Sequence, residues 1–209
     1  MSQQPVTVAR MQRMLYWAIR KVFRVIYRVC YRWQVQGIEN IPLEQPFIIC
    51  ANHISWWDPP LVACLVSHKP VRFMAKEELF RLPALGWLLP RVYAFPVRRG
   101  SADRRAITTA LHALRNGGIL GLFPEGTRSR TRDLLPPQPG IALIALKSRA
   151  VVLPVAIAGP YRLFRPVRVK IGKQLLFEEF NEQKTRAEQL EQVAGRIMAE
   201  INRLCQDLS

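Results

Sequence analysis

The chain has 209 residues, 49% of them hydrophobic, and carries 31 basic against 15 acidic side chains, a net charge of +16. That apolar content excludes a disordered chain, and the length suits one compact domain with an appendage. The positive charge predicts anionic partners, which include lipid headgroups, phosphorylated substrates and nucleic acid, and the charge alone does not choose among them.

Residues 10–33 contain no proline or glycine and are predicted to form one helix. At about 100° per residue, all its cations fall in an arc of about 120°. The cations in residues 1–38, where no acidic residue occurs, are Arg10, Arg13, Arg20, Lys21, Arg24, Arg28 and Arg32. The apolar residues on the opposite face are Leu15, Ile19, Val22, Phe23, Ile26, Val29 and Trp33.

This pattern favours an amphipathic helix that lies in the membrane interface. We therefore interpret residues 1–36 as a membrane-surface helix and residues 37–209 as a separate folded domain. A surface helix packed on the domain and an arginine-rich arm for nucleic acid are the alternatives. No run of roughly 18 apolar residues is present, so an ordinary membrane-spanning helix is not expected. Arginines interrupt the N-terminal apolar stretch, so a cleavable signal peptide is not expected either.

Short apolar segments alternate with helical segments through the rest of the chain. Strands are predicted at 47–51, 71–75, 93–97, 119–123, 151–158 and 167–171. Helices are predicted from residue 59 onward and at 76–81, 103–116, 141–148 and 184–204. This alternation predicts an α/β fold with a mixed, largely parallel sheet flanked by helices.

The cysteines show neither the spacing of a disulfide framework nor that of a zinc site. The four are scattered, with no Cys-x-x-Cys pair and no Cys/His cluster. We therefore expect neither a disulfide framework nor a zinc site, and a reduced, cytosolic setting.

The first polar constellation follows the strand at 47–51. His53 and Asp58 are five residues apart in the segment Asn-His-Ile-Ser-Trp-Trp-Asp. On a helix they would point about 140° apart, so the pair should lie on a turn that folds the carboxylate back onto the imidazole. Pro59 should hold Asp58 in an extended conformation. Such a carboxylate orients the ring, and the other ring nitrogen removes a proton from a hydroxyl. A polar loop histidine and an N-cap aspartate are the alternatives.

The second constellation, Phe-Pro-Glu-Gly-Thr-Arg-Ser-Arg, also follows a predicted buried strand and should open at the same sheet edge. Gly126 permits a tight turn, Thr127 offers a hydroxyl, and Arg128 offers a two-pronged donor that matches phosphate oxygens. Glu125 is expected to anchor an arginine. A solvated basic loop is the alternative. A third segment, Phe-Pro-Val-Arg-Arg-Gly, places Arg98 and Arg99 at another strand end.

In chain order, NHISWWD, FPVRR, FPEGTRSR and VVLPVAIAG resemble the four motif blocks of the lysophosphatidate acyltransferase family. The resemblance spans residues 37 to 171. It implies the transfer of a fatty acyl group from acyl-CoA or acyl-carrier protein to the free hydroxyl of 1-acyl-glycerol-3-phosphate. It also implies that His53 is the general base and Asp58 its partner. The residues that it assigns to binding the acceptor are Arg98, Glu125, Gly126, Thr127 and Arg128.

The resemblance further implies direct acyl transfer without a covalent intermediate, a metal or a cofactor other than the acyl donor. The expected location is the cytoplasmic face of the membrane, as a peripheral protein. Two positions depart from the family pattern. Val92 stands where a glycine is common, and Gln138-Pro139-Gly140 replaces a lysine-glycine segment. The resemblance places both loops near the acceptor, so these departures bear on the identity of the substrate more than on the chemistry.

Other acceptors therefore stay open, namely another lysophospholipid or glycerol-3-phosphate. A non-enzymatic anionic-lipid or nucleic-acid binder is the alternative from a different class. Nucleic acid is not expected, because the chain has neither an RNP-like aromatic motif nor zinc-finger spacing.

Overall fold

A computed structural model describes residues 6–98, 103–129, 131, 133–180 and 187–208. Arg99, Arg130 and the first residues of the predicted C-terminal helix lie outside the described residues. The strands are β1 (Gln34–Gln36), β2 (Phe47–Ala51), β3 (Val71–Lys76), β4 (Ala94–Val97), β5 (Ile119–Leu122), β6 (Val151–Ala158) and β7 (Arg168–Ile171). The α-helices are α1 (Val6–Val29), α2 (Asp58–Leu65), α3 (Pro83–Arg91), α4 (Arg104–Arg115), α5 (Pro139–Ser148) and α6 (Ala187–Gln206).

The strands form one sheet in the order β1-β7-β6-β2-β5-β3-β4. Every neighbouring pair is parallel except β6 and β7, which are antiparallel. Strands β2 to β6 therefore run in one direction, and the loops that follow them meet at one edge of the sheet. Open α/β sheets bind their ligands at this carboxyl edge.

Helices cover both faces of the sheet, and the side chains of β2 pack against both helical layers. Ile49 packs on the face covered by α1 and α2, whereas Ile48 and Cys50 pack on the face covered by α4, α5 and α6. Successive side chains of a strand point to opposite faces, so a wholly apolar strand such as Phe-Ile-Ile-Cys-Ala fits between two helical layers.

The predicted fold class is confirmed, and the differences from the prediction lie at the edges of the sheet. Strand β1 and helix α3 were not predicted. Strand β1 has three residues, which pair with β7 among the described strands. A segment this short cannot show the two-residue alternation of apolar and polar side chains from which a strand is predicted. The predicted helix at 76–81 is a 3-10 helix, Glu77–Arg81, followed directly by α3. The predicted last helix is α6, which extends to Gln206.

Helix α1 packs on α2 through one face only. Tyr16 and Tyr27 are buried there, and the Tyr27 hydroxyl donates to the backbone oxygen of Trp57 at 2.7 Å. Arg20, expected among the solvent-facing cations, turns inward and donates to the carbonyl oxygens of Ala63 and Cys64. These carbonyls end α2, where a helix leaves acceptors without partners inside the helix.

A second apolar face of α1 points away from the domain. Its large side chains, each more than half exposed, are Met11, Met14, Val22, Val25 and Val29. Successive members are three, eight, three and four residues apart, which places them in one stripe along the helix. The predicted apolar face is thus split, because Phe23 packs against the core while Val22 and Val29 do not. The helix ends at Val29, four residues earlier than predicted. In the described part of the chain, no helix combines the length and apolarity needed to cross a membrane.

Candidate active site

The turn between β2 and α2 folds the Asp58 carboxylate back onto the His53 ring, as the five-residue spacing predicted. Asp58 Oδ2 lies 2.8 Å from His53 Nδ1. The same oxygen accepts the backbone N–H groups of Ile54 and Ser55, both at 2.6 Å. The expected extended conformation of Asp58 is wrong, because Asp58 is the first residue of α2 and Pro59 occupies the next position of its first turn.

His53 is fixed on several sides. Its ring stacks on Phe123 with centroids 4.1 Å apart, and its backbone oxygen accepts the N–H of Ser129 at 2.8 Å. Because the carboxylate of Asp58 accepts, Nδ1 carries the proton and Nε2 keeps its lone pair in the neutral ring. The histidine side chain retains 10% exposure and that of Asp58 none. The arrangement therefore presents one basic nitrogen at a largely enclosed site.

Glu125 joins the two loops that carry the constellations. One carboxylate oxygen accepts the N–H of His53 at 2.8 Å, and the other accepts the N–H of Leu135 at 3.1 Å. Among the described residues, its partners are thus backbone amides and not the arginine that we expected. The residue is 2% exposed, and burial raises the pKa of its carboxyl group, although the two amides oppose the shift.

Arg128 lies beside the buried pair on the same loop as Glu125, and it is exposed. Its guanidinium stacks over the ring of Trp56, 4.1 Å from the centroid. Trp56 comes from the His53 turn, so the contact draws the two loops together. Gly126 has a φ of +66°, and a Cβ there would lie 2.8 Å from the Gln138 side chain. Both observations explain why the turn requires glycine at this position.

Arg98 lies apart from these residues. It follows β4, which is separated from β2 by β5 and β3, a distance of about 14 Å at about 4.8 Å per strand. Its Nε donates to the Glu77 carboxylate at 2.8 Å. Thr127 is exposed on the loop that also carries Arg128. The structure thus brings His53 into direct contact with both Asp58 and Glu125 and leaves Arg98, Thr127 and Arg128 as separate exposed groups.

Two residues of the site were missed from sequence. Tyr161, in the loop after β6, donates its hydroxyl to Asp58 Oδ1 at 2.6 Å. Asn52 is 3% exposed and ties the end of β2 to β6, because its side-chain amide exchanges two hydrogen bonds with the backbone of Ile157. The sequence signal that could have indicated them was their position, because each is a polar residue that follows a buried strand and so lies at the carboxyl edge of the sheet.

A family model described as Acyltransferase matches residues 32–158 of the chain. This match covers more than half of the protein, including His53, Asp58, Arg98 and the loop with Glu125 and Arg128. The chain therefore belongs to the acyltransferase family, and the carboxyl edge with its histidine–aspartate pair lies within the matched domain.

Two bacterial proteins and one crystal structure are similar to this chain over most of its length. The chain is 33% identical over 152 residues to 1-acyl-sn-glycerol-3-phosphate acyltransferase of Bacillus subtilis, covering 70% of this chain and 75% of the relative. It is 31% identical over 185 residues to the enzyme of the same name from Streptococcus pneumoniae, covering 82% and 68%. The crystal structure of the 1-acyl-sn-glycerophosphate acyltransferase PlsC from Thermotoga maritima matches with a TM-score of 0.75 at 29% identity, over 96% of this chain and 82% of that one.

Proposed function

We propose that this protein transfers a fatty acyl group from a thioester, acyl-CoA or acyl-carrier protein, to the free hydroxyl of 1-acyl-sn-glycerol-3-phosphate, giving phosphatidic acid. The observation that carries the proposal is the His53–Asp58 hydrogen bond beside the exposed guanidinium of Arg128 at one sheet edge. A base and an anion ligand on adjacent loops suit an acceptor that has both a hydroxyl and a phosphate. The names of the relatives support the same acceptor.

The proposed reaction uses His53 as a general base. Its Nε2 takes the proton from the acceptor hydroxyl as that oxygen attacks the thioester carbonyl carbon. The C–S bond then breaks, and the departing sulfur receives the proton from the imidazolium. Asp58 stabilises the imidazolium through Nδ1 while it exists. The reaction balances without a metal or a redox cofactor.

The acceptor phosphate would bind at Arg128, with Arg98 as a second ligand. The guanidinium of Arg128 is held against Trp56 but remains open to solvent, so its donors can meet phosphate oxygens. Arg98 would have to leave Glu77 to do the same. Glu125 acts indirectly in this scheme, because both of its oxygens hold backbone amides of the loops.

We also propose that α1 holds the enzyme on an anionic bilayer, on the cytoplasmic face. The exposed stripe Met11, Met14, Val22, Val25 and Val29 is apolar, and the cations Arg10, Arg13, Lys21, Arg24 and Arg28 are exposed on the same helix. An exposed apolar stripe flanked by cations suits the boundary between headgroups and acyl chains. Both the acceptor and the product are membrane lipids, so this placement keeps the site near them.

A specific observation favours a second acceptor. The chain is 37% identical over 116 residues to lyso-ornithine lipid O-acyltransferase of Pseudomonas aeruginosa, although the match covers 55% of this chain and 44% of that protein. Ornithine presents a carboxylate, which Arg128 can also bind. The hydroxyl chemistry at His53 would be the same, so the acceptor pocket decides between the two.

The test is an acyl-transfer assay with purified protein and four acceptors: 1-acylglycerol-3-phosphate, a lysophospholipid with a larger headgroup, glycerol-3-phosphate and lyso-ornithine lipid. Each is assayed with acyl-CoA and with acyl-carrier protein. We expect the highest kcat/KM with 1-acylglycerol-3-phosphate, and His53→Ala should lower it by about a thousandfold. His112→Ala, an exposed histidine on α4, is the matched control and should retain activity. A wild type that acylates none of these acceptors would refute the proposal.

Vesicle flotation tests the membrane part separately. Val22→Asp/Val25→Asp places two carboxylates on the exposed stripe and should release the protein from phosphatidylglycerol vesicles. Leu176→Asp places one carboxylate at an exposed apolar position outside α1 and should leave binding intact. Equal binding by both variants would contradict the assignment of the stripe to the bilayer.

A further inference from the structure

Tyr161 occupies the one oxygen of Asp58 that the His53 turn does not use. Oδ2 already accepts from His53 Nδ1 and from two backbone amides of the turn. Oδ1 accepts the Tyr161 hydroxyl at 2.6 Å, from a residue 103 positions away in the chain. All these contacts supply donors, so the carboxylate acts as an acceptor on both oxygens.

The tyrosine is itself held in place. Its backbone has a φ of +42°, a left-handed conformation that costs energy for a non-glycine residue and persists where surroundings impose it. Its ring packs edge-on against Tyr31, with centroids 5.7 Å apart, and Tyr31 contacts Trp57 beside Asp58. Burial and the negative charge of Asp58 raise the pKa of Tyr161 far above its ordinary value, so the hydroxyl stays protonated and remains a donor.

We propose that Tyr161 is a positioning residue, which fixes the plane of the Asp58 carboxylate and through it the orientation of the His53 imidazole. The turn contacts Oδ2 alone, so within the turn nothing opposes small rotations of the carboxylate plane about Cβ–Cγ that keep Oδ2 near its donors. A donor on the second oxygen, supplied by a different loop, removes this freedom. Because the hydroxyl proton is committed to Asp58, Tyr161 has no second proton to donate to the reacting groups. The role as stated rests on the proposed function of His53 as the base.

Tyr161→Phe tests the proposal with little change in packing, since the ring and its contact with Tyr31 are kept. Loss of a hydrogen bond to a charged group should lower kcat about tenfold, with KM for acceptor and donor within about twofold of wild type. Tyr31→Phe is the matched control. It removes a hydroxyl from the neighbouring ring, which is not among the partners of Asp58, and should leave kcat within about twofold.

A spectroscopic measurement tests the same role without catalysis. In protein labelled with ¹⁵N-histidine, the Nδ1–H proton of His53 should resonate far downfield, because it lies in a charge-assisted hydrogen bond to the Asp58 carboxylate. Tyr161→Phe should shift this signal and broaden it through exchange with water, and Tyr31→Phe should leave it in place. If the wild type acylates no acceptor, the proposed function fails, while this signal still decides whether Tyr161 orients the pair.

Three results would overturn the assignment. The first is an unchanged kcat together with an unchanged Nδ1–H signal in Tyr161→Phe. The second is a rise in KM alone, which would place Tyr161 in substrate binding. The third is a fall in activity that thermal unfolding explains by loss of folded protein, or that Tyr31→Phe shares, which would make the role purely structural.

Discussion

The candidate site has two parts. Around His53, the functional side chains are buried and fixed by hydrogen bonds, whereas the arginines Arg98 and Arg128 are exposed to solvent. Asp58 is fully buried and Glu125 is 2% exposed, and their carboxylates accept hydrogen bonds from three loops of the sheet edge. The side chain of Arg98 is 66% exposed, and Trp56, under Arg128, is 61% exposed. The groups assigned to chemistry are thus organised before substrate arrives.

This difference has a kinetic consequence. Preorganised groups act on the transition state without first rearranging, so their loss lowers kcat. Exposed cations become ordered when a ligand binds, so their loss raises KM. The two sides should therefore separate in the kinetics of variants, and the following changes test that separation.

The largest effect is expected at Asp58. Asp58→Asn keeps the shape but turns an amide group towards donors, so kcat should fall by about a thousandfold and the free energy of unfolding by about 2–3 kcal/mol. Activity assays and thermal unfolding measure the two effects. Asp207→Asn, on an exposed aspartate that pairs with Lys170, is the control. A near-normal kcat in Asp58→Asn would contradict the assignment of catalysis to the buried residues around His53.

Arg128→Ala should affect binding instead. We expect KM for the acceptor to rise about ten- to thirtyfold and kcat to change by less than about threefold, as measured by steady-state kinetics. Arg196→Ala is a matched control, because Arg196 also stacks over an aromatic ring, that of Phe177, which packs on the sheet face covered by α4, α5 and α6. A fall in kcat without a change in KM would show that Arg128 acts on the transition state, as we expect of the buried residues around His53, and not in binding the acceptor.

A smaller effect, on the KM for the acceptor, distinguishes two roles for Arg98, which either binds the acceptor phosphate or supports its loop through the ion pair with Glu77. If it binds the acceptor phosphate, Glu77→Gln should free its guanidinium and lower KM about two- to threefold, whereas Arg98→Ala should raise KM. If the pair only supports the loop, both variants should raise KM or leave it unchanged. Titration of the acceptor at fixed donor concentration gives these values.

The smallest expected effect concerns Glu125 and pH. Burial raises the pKa of its carboxyl group in the folded protein. Its stabilising contribution is therefore complete below the unfolded value of about 4.3 and is lost as pH rises through the folded value. The Tm of wild type minus that of Glu125→Gln should thus be largest in acid and shrink towards neutral pH. Glu44→Gln, at an exposed loop position, is the control. A difference that grows with pH would show that the two amides outweigh burial.

Local patterns were sufficient for most of the fold. The apolar strands β2, β5 and β6 are at or within one residue of their predicted positions, since a buried strand between two helical layers is a continuous apolar run. The edge elements were harder. Helix α3, Pro-Ala-Leu-Gly-Trp-Leu-Leu-Pro-Arg, contains glycine and an internal proline, both unfavourable for a helix by intrinsic propensity. It forms where packing against β4 and the preceding 3-10 helix supports it.

The sequence by itself determined the α/β architecture, the turn that joins His53 to Asp58 and the cations of α1, because periodicity and a five-residue spacing are local properties. The tertiary structure decided which groups complete the site. Tyr161 reaches Asp58 across 103 residues, Glu125 reaches the amide of His53 across 72, and Arg20 turns towards the end of α2. These contacts follow from the order of strands in the sheet and from the docking of α1, which bring together loops that no local pattern relates.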